Sequence, residues 1–287
     1  MSFAIRFPAA RTLVACALAC VMVQFVFAVS PRAEEKKSCT LTFSLPEGTI
    51  LRYSDFSQID QNFGGSDVSM NQTADVEMAY GEKADSTGAA RVDLKFGKVK
   101  SSLVMNGQLR EWTPPIKLEG AEIRVFVNPN GKIARFEPGR GIVGMSRKDD
   151  LREIVDALFV TFPDSTVSVG ETWTEEIEEG KKEGDEPEIK GTAVYTLKKI
   201  EKKGDIEVAV IEGKADIKMN SETPVGTLVA NGKLSMKAQV AVAGGYIVEM
   251  KQNVDITGDI VVKDPLTDKE TKRETIVTRI VEIKLQK

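Results

Sequence analysis

The sequence predicts a mainly β protein, with two duplicated antiparallel β units forming a curved sheet or open barrel and one amphipathic helix between the copies. Three observations carry this reading. Apolar and polar residues alternate in runs such as Arg91–Phe96 and Leu234–Lys237, separated by glycine turns, which is the pattern of antiparallel strands with one wetted face. A glycine spacing recurs: Gly88 and Gly204 each lie nine residues before a Gly-Lys pair, Gly97-Lys98 and Gly213-Lys214. Between the two copies stands the one convincing 3.6-residue period of the chain.

The elements follow in order. Residues 1–28 read as a secretory signal peptide: Arg6 and Arg11, an apolar run from Thr12 to Phe27, and a Val26-Phe27-Ala28 cleavage site. A retained anchor and lipidation at Cys20 are the alternatives. Residues 29–45 form a flexible N-terminal segment, and residues 46–145 the first β repeat. The repeats align further at Val92 with Val208, Leu94 with Val210 and Tyr80 with Tyr195, and Gly131-Lys132-Ile133 falls near Gly245-Tyr246-Ile247. The alternation changes phase across each Gly-Lys pair, which predicts a bulge at both Gly97 and Gly213. Residues 146–162 form the linking helix, with Ser146 as N-cap and Asp149 three residues on. Leu151, Ile154, Val155, Leu158, Phe159 and Phe162 make its apolar stripe, and Pro163 its stop. Residues 163–287 are the second β repeat.

Composition narrows the function. The chain has 287 residues, 41% of them hydrophobic and 29% charged, so it can bury a sizeable core. Removing the leader takes the net charge from −4 to −6, and no basic stripe with interleaved aromatics is present; nucleic acid is not an expected partner. The chain contains 0 histidines, which removes imidazole-based triads and His-ligated zinc. Cys39 alone of 3 cysteines outlasts the leader, so neither an internal disulfide nor a cysteine zinc cluster can form. No cofactor and no enzymatic activity are expected.

Two stretches invite functional readings that do not hold. Gly139, Gly141 and Gly144 spell G-x-G-x-x-G, but the helix cap comes after the last glycine, whereas a dinucleotide site needs the helix to begin among them. The acidic run from Glu171 to Ile189 lacks the ligand spacing of a calcium loop and carries Lys181 and Lys182. It reads as a solvated hairpin tip.

Gly48–Tyr53, Asn128–Ile133 and, above all, Phe162-Pro163 followed by Val167-Ser168-Val169-Gly170-Glu171-Thr172-Trp173 resemble an uncharacterised family of exported bacterial proteins, known only as a domain of unknown function. The resemblance implies an exported, mostly β protein and no catalytic residues. Tyr53 and Trp173 are read as core anchors of the first strand in each copy.

The functional expectation is an exported non-catalytic protein that holds a lipid or other apolar ligand between sheet and helix, with Leu151, Ile154, Val155, Leu158 and Phe159 as candidate lining residues. Six methionines on the strands, Met70, Met78, Met105, Met219, Met236 and Met250, serve either the core or the ligand site. A structural or protein-interaction role in the cell envelope is the alternative.

Overall fold

Period-two alternation is carried through long strands, in which consecutive side chains point to opposite faces. In the computed structural model the described residues are 37–63, 65–83, 88–111, 117–139, 142, 154–179, 188–223, 226–263 and 270–286. The first half contains β1 (Ser38–Cys39), β2 (Ile50–Phe63), β3 (Ser66–Lys83), β4 (Ala90–Met105), β5 (Gln108–Arg110), β6 (Glu122–Val127) and β7 (Ile133–Pro138). The second half contains β8 (Val167–Ser168), β9 (Thr172–Glu179), β10 (Ile189–Lys203), β11 (Ile206–Thr223) and β12 (Gly226–Ala241). It ends with β13 (Ile247–Lys263) and β14 (Glu270–Leu285).

Twelve of these form one sheet in the order β7-β6-β4-β3-β2-β14-β13-β12-β11-β10-β9, with β5 paired to β4; β1 and β8 pair separately. Every pairing in the large sheet is antiparallel, and β2 lies beside β14, joining the two halves edge to edge. The sheet is not closed into a barrel: among the described residues β7 and β9 are its outer strands and do not pair with each other.

Register assigns the faces. Directly paired residues share a face, so the row Leu197, Ile211, Ala238, Met250, Ile283 and Asp55 lies on one side, as do Tyr53, Val76 and Phe96. The opposite face carries charge ladders: Arg52 meets Glu77 at 3.1 Å, Arg124 meets Asp93 at 2.9 Å and Lys251 meets Glu282 at 2.8 Å. These exposed pairs each contribute little to stability, and they keep that face wet.

Two crossing segments cover one end of the apolar face. The first runs from Leu41 to Leu45 ahead of β2. The second runs from the helical turn at 154–156 to Phe162, on the connection that carries the chain from the β7 edge to the β9 edge. Leu41, Phe43, Val155, Leu158, Val160 and Phe162 join Tyr53, Met78, Leu94, Phe96, Ile211 and Ile283 in one buried cluster. Both straps are tied by backbone hydrogen bonds: Phe43 N donates to Pro129 O at 2.7 Å, Ser44 N to Gly244 O at 3.1 Å, and Phe162 N to Asn130 O at 2.7 Å.

This arrangement corrects the expected helix. Residues 143–153 lie outside the described residues, the helical turn ends at 156, and 159–163 are not helical. The chain from Val160 to Phe162 instead runs against the β6–β7 turn, where the Phe162 N–H takes the Asn130 carbonyl as partner. An edge-to-edge crossing that bonds to a turn cannot keep its own i→i−4 ladder.

The bulge expectation holds at one glycine only. From Val76 to Ala74, β3 advances two residues while β4 advances three from Phe96 to Val99, placing Gly97-Lys98 in a β-bulge. Gly213, in contrast, pairs regularly with Tyr195 and Met236. Its reason is clearance, since a Cβ there would stand 2.8 Å from the Tyr195 ring. The irregularity of that hairpin falls between Leu197 and Lys199.

Candidate functional site

Beyond the straps the apolar face continues. Reading along the pairs, one rung presents Ile256, Gly232, Ile217, Gly191 and Ile177 on five successive strands, an alternation of large and absent side chains. A Cβ on Gly232 would stand 2.6 Å from the Ile217 side chain and one on Gly191 2.5 Å from the Asp216 carbonyl. The glycines therefore leave room for the isoleucines to lie across them. Ala193, Ala215 and Ile217 are buried here, and the residues packed against them, Ile177, Ile189, Tyr195, Leu234 and Val254, come from the sheet itself. Ile59, Met70, Leu103 and Val277 continue the same face on β2, β3, β4 and β14, all half-buried.

Charges interrupt this surface, Glu175 at its β9 edge and Asp55 and Arg279 near its middle. Asp55 occupies the row of Ala74 and Ile283, and Arg279 that of Ile59 and Val254. Asp55 Oδ1 is buried without a hydrogen-bond partner. Burial pushes the Asp55 carboxyl up to about 6, with the Arg279 charge pulling the other way. Burial likewise lowers the Arg279 guanidinium, opposed by Asp55. The rung between them carries Ser57, Gln72 and Ser101, and Ser101 Oγ is also buried without a partner. A polar island thus lies in an apolar face, at the border between the strapped core and the rows that no described strap crosses.

The expected lining residues sit on the strapped side. Val155 and Leu158 are within the main core, and Ile154 and Phe159 pack against it; Phe159 stands edge-on to Phe43 with ring centroids 5.5 Å apart. Leu151 lies outside the described residues. Two shallow pockets among the described residues, of about 460 and 360 Å³, are not lined by these residues. Met78 and Met250 are core residues, while Met70 and Met219 lie half-buried farther along the face and Met105 is exposed.

Tyr53 is buried in the core. Trp173 stacks on Tyr195 at 5.5 Å, and its Nε1 donates to Thr161 O at 3.2 Å, tying the second strap to the β9 edge. The Thr161 and Tyr195 hydroxyls both donate to Glu175. Burial and the Glu175 carboxylate together push the Tyr195 phenol upward. Burial also raises the Cys39 thiol, which opposes thiolate reactivity. Among the described residues no group of three His, Cys, Asp or Glu side chains could hold a metal ion; residues 180–187 of the acidic run lie outside them.

Sequence reasoning passed over Asp55 and Arg279. The signal was available as parity: Asp55 shares its phase with Tyr53, and Arg279 with Val277 and Val281, so each charge stands at an inward position.

The model of a family described as "family of unknown function (DUF6263)" matches residues 146–263. No curated protein matches the chain. A solved structure concerned with lipid–protein interactions in lipovitellin shares the fold, with a TM-score of 0.50 at 10% sequence identity. The likeness covers 85% of this chain and 25% of that one, so the chain spans about a quarter of the length of its structural neighbour.

Proposed function

We propose that this chain is an exported, non-catalytic protein that binds a lipid or another apolar molecule along the uncovered part of its apolar sheet face. The observation that carries the reading is a continuation of apolar rows past the straps: Ile59, Met70, Leu103, Leu234, Val254 and Ile256 are half-buried, and Leu234 and Val254 pack against a small cluster formed by the sheet itself. Covering each such side chain removes apolar area from water, worth roughly 25 cal/mol per Å². Lipovitellin, by the description of its structure, interacts with lipid; the shared sheet architecture makes the same use of an open apolar face reasonable here.

The architecture is read as two copies of one five-strand unit, β2-β3-β4-β6-β7 and β9-β10-β11-β12-β13. They run across the sheet in the same order and direction, with Gly97 and Gly213 both on the third strand. Gly131 and Gly245 occupy the last turn of each unit, and each receives a strap: the Val160 carbonyl in one case, the Thr42 carbonyl in the other.

The test is titration of the mature protein with N-phenyl-1-naphthylamine, a dye that brightens in apolar surroundings. We expect saturable binding, displaced by phospholipid, and loss of most of it in Leu234→Asp/Ile256→Asp. A wild-type protein that neither brightens the dye nor carries extractable lipid defeats the reading, and an envelope interaction role takes its place. Export has its own check: protein from the envelope fraction should begin at Val29, and an intact Met1 or an acylated Cys20 would overturn cleavage after Ala28.

A further inference from the structure

Glu175, Asp55 and Arg279 stand on the face proposed to hold lipid, and none of these charges is isolated. At the β9 edge Glu175 accepts from the Thr161 and Tyr195 hydroxyls and lies 3.9 Å from the Lys132 ammonium. Near the middle, Arg279 on β14 has an interaction of its own and also favours the charged form of Asp55 on β2. The deficit of the polar island is in hydrogen bonds: Asp55 Oδ1 and Ser101 Oγ are buried without a partner. Asp55 lies between Ala74 and Ile283, with Val99 and Met250 next in the row, and none of these side chains can donate. Ser57, Gln72 and Ser101 make the adjoining rung. Asp55 and Ser101 are each only half-buried as residues, and the two-fold terminal torsion of a carboxylate lets either oxygen turn to the open side.

Ligand classes meet this island differently. A hydrocarbon would leave both atoms unsatisfied and bury them further. An anionic head group would approach the Asp55 carboxylate and a cationic one the Arg279 guanidinium; because the two are coupled, neither sign of charge gains a full attraction. A hydroxyl adds no charge and supplies the missing donor, and a hydrogen bond to a charged acceptor is among the stronger ones. Resting on the lipid-binding reading above, we propose that the island takes the head of an uncharged lipid that bears a free hydroxyl, the hydroxyl donating to the Asp55 carboxylate. Ser57, Gln72 and Ser101 extend the polar patch for the rest of the head, and the acyl chains lie along the apolar rows beyond it, where Ile59, Met70, Val254 and Leu234 are half-buried.

The experiment presents lipid-stripped mature protein at neutral pH with equimolar diacylglycerol, its O-methyl ether and phosphatidylmethanol, all with identical acyl chains, and reads the bound lipids by native mass spectrometry. The ether differs from diacylglycerol in lacking the donor, and phosphatidylmethanol is an anion without one. Wild type should retain diacylglycerol about tenfold over the ether, the discrimination given by one hydrogen bond to a charged group, with phosphatidylmethanol no higher than the ether. Asp55→Val removes the acceptor and should bind diacylglycerol and the ether alike. Asp55→Asn keeps an uncharged acceptor, so its preference should shrink to about threefold. Circular dichroism checks the fold of both variants, and if Asp55→Val does not fold, Asp55→Asn decides alone. Equal retention of diacylglycerol and ether by wild type, phosphatidylmethanol bound above diacylglycerol, or an unaltered preference in the folded variants overturns the hydroxyl site and leaves lipid binding standing. Retention of no lipid, or a dimer that covers the face with a second copy, defeats both.

Discussion

Asp55 shows how one buried side chain links stability to pH. Its carboxyl is raised to about 6 because burial disfavours the charged form more than Arg279 favours it. A raised carboxyl means that the folded chain binds the proton more tightly than the unfolded chain. The penalty is absent below the unfolded value near 3.8 and fully present above 6, so this group lets stability rise as pH falls from 7 towards 4. Asp55→Asn should therefore stabilise the unliganded protein by up to about 3 kcal/mol at pH 8 and by almost nothing at pH 4. Urea unfolding at the two pH values measures this. An equal effect at both would mean that the charge is not what the site resists. The inward phase of this residue could be read in the sequence from its parity with Tyr53; its cost comes from the partners that β14 and β3 place around it, and no local pattern encodes those.

At the scale of elements, the straps decide which part of the sheet is core. Gly131 holds φ at +80°, and a Cβ there would lie 2.1 Å from the Val160 carbonyl. Gly48 holds φ at +78° with nothing within 4 Å. The pair separates two effects. Gly48→Ala should cost about 1–2 kcal/mol, the backbone penalty alone, whereas Gly131→Ala should cost clearly more, about 3–4 kcal/mol, by lifting the second strap off the turn. Chemical denaturation of both variants tests the difference, and equal losses would mean that the strap is not anchored there. Alternation in Arg91–Phe96, the turn at Gly131 and the apolar spacing of Val155, Leu158 and Phe162 were all readable, because strand phase and burial are local signals. The helix failed as an inference beyond residue 156 for a related reason. A spacing of three to four apolar residues also fits an irregular chain laid over a sheet, and only the bond from Phe162 to Asn130, 32 positions away in sequence, tells the two apart.

At the scale of the whole molecule, an open sheet has to manage two edges as well as one apolar face. The β7 edge is short and carries Arg135 and Glu137, which pair with each other at 3.3 Å. The β9 edge is longer, eight residues, and carries Glu175, Glu176 and Glu178. Like charges at that density repel a second copy arriving to continue the ladder, and the mature chain's net negative charge acts in the same sense. The acidic run noted in the sequence therefore acquires a role in its described part: it guards an edge. Replacing the outward pair, Glu176→Val/Glu178→Val, removes two charges and raises β-propensity on an edge strand. The Glu176 carboxylate also accepts from the Thr192 hydroxyl, a partner-strand contact exposed to solvent, so its loss should cost the fold little. We expect the double variant to keep the wild-type circular dichroism spectrum and to shift towards larger species with rising concentration in multi-angle light scattering. Addition of phospholipid should not reverse that shift, because the lipid would occupy the face and not the edge. If the variant scatters as wild type does across the same concentrations, edge protection resides elsewhere, and the glutamates serve only to keep the polar face hydrated.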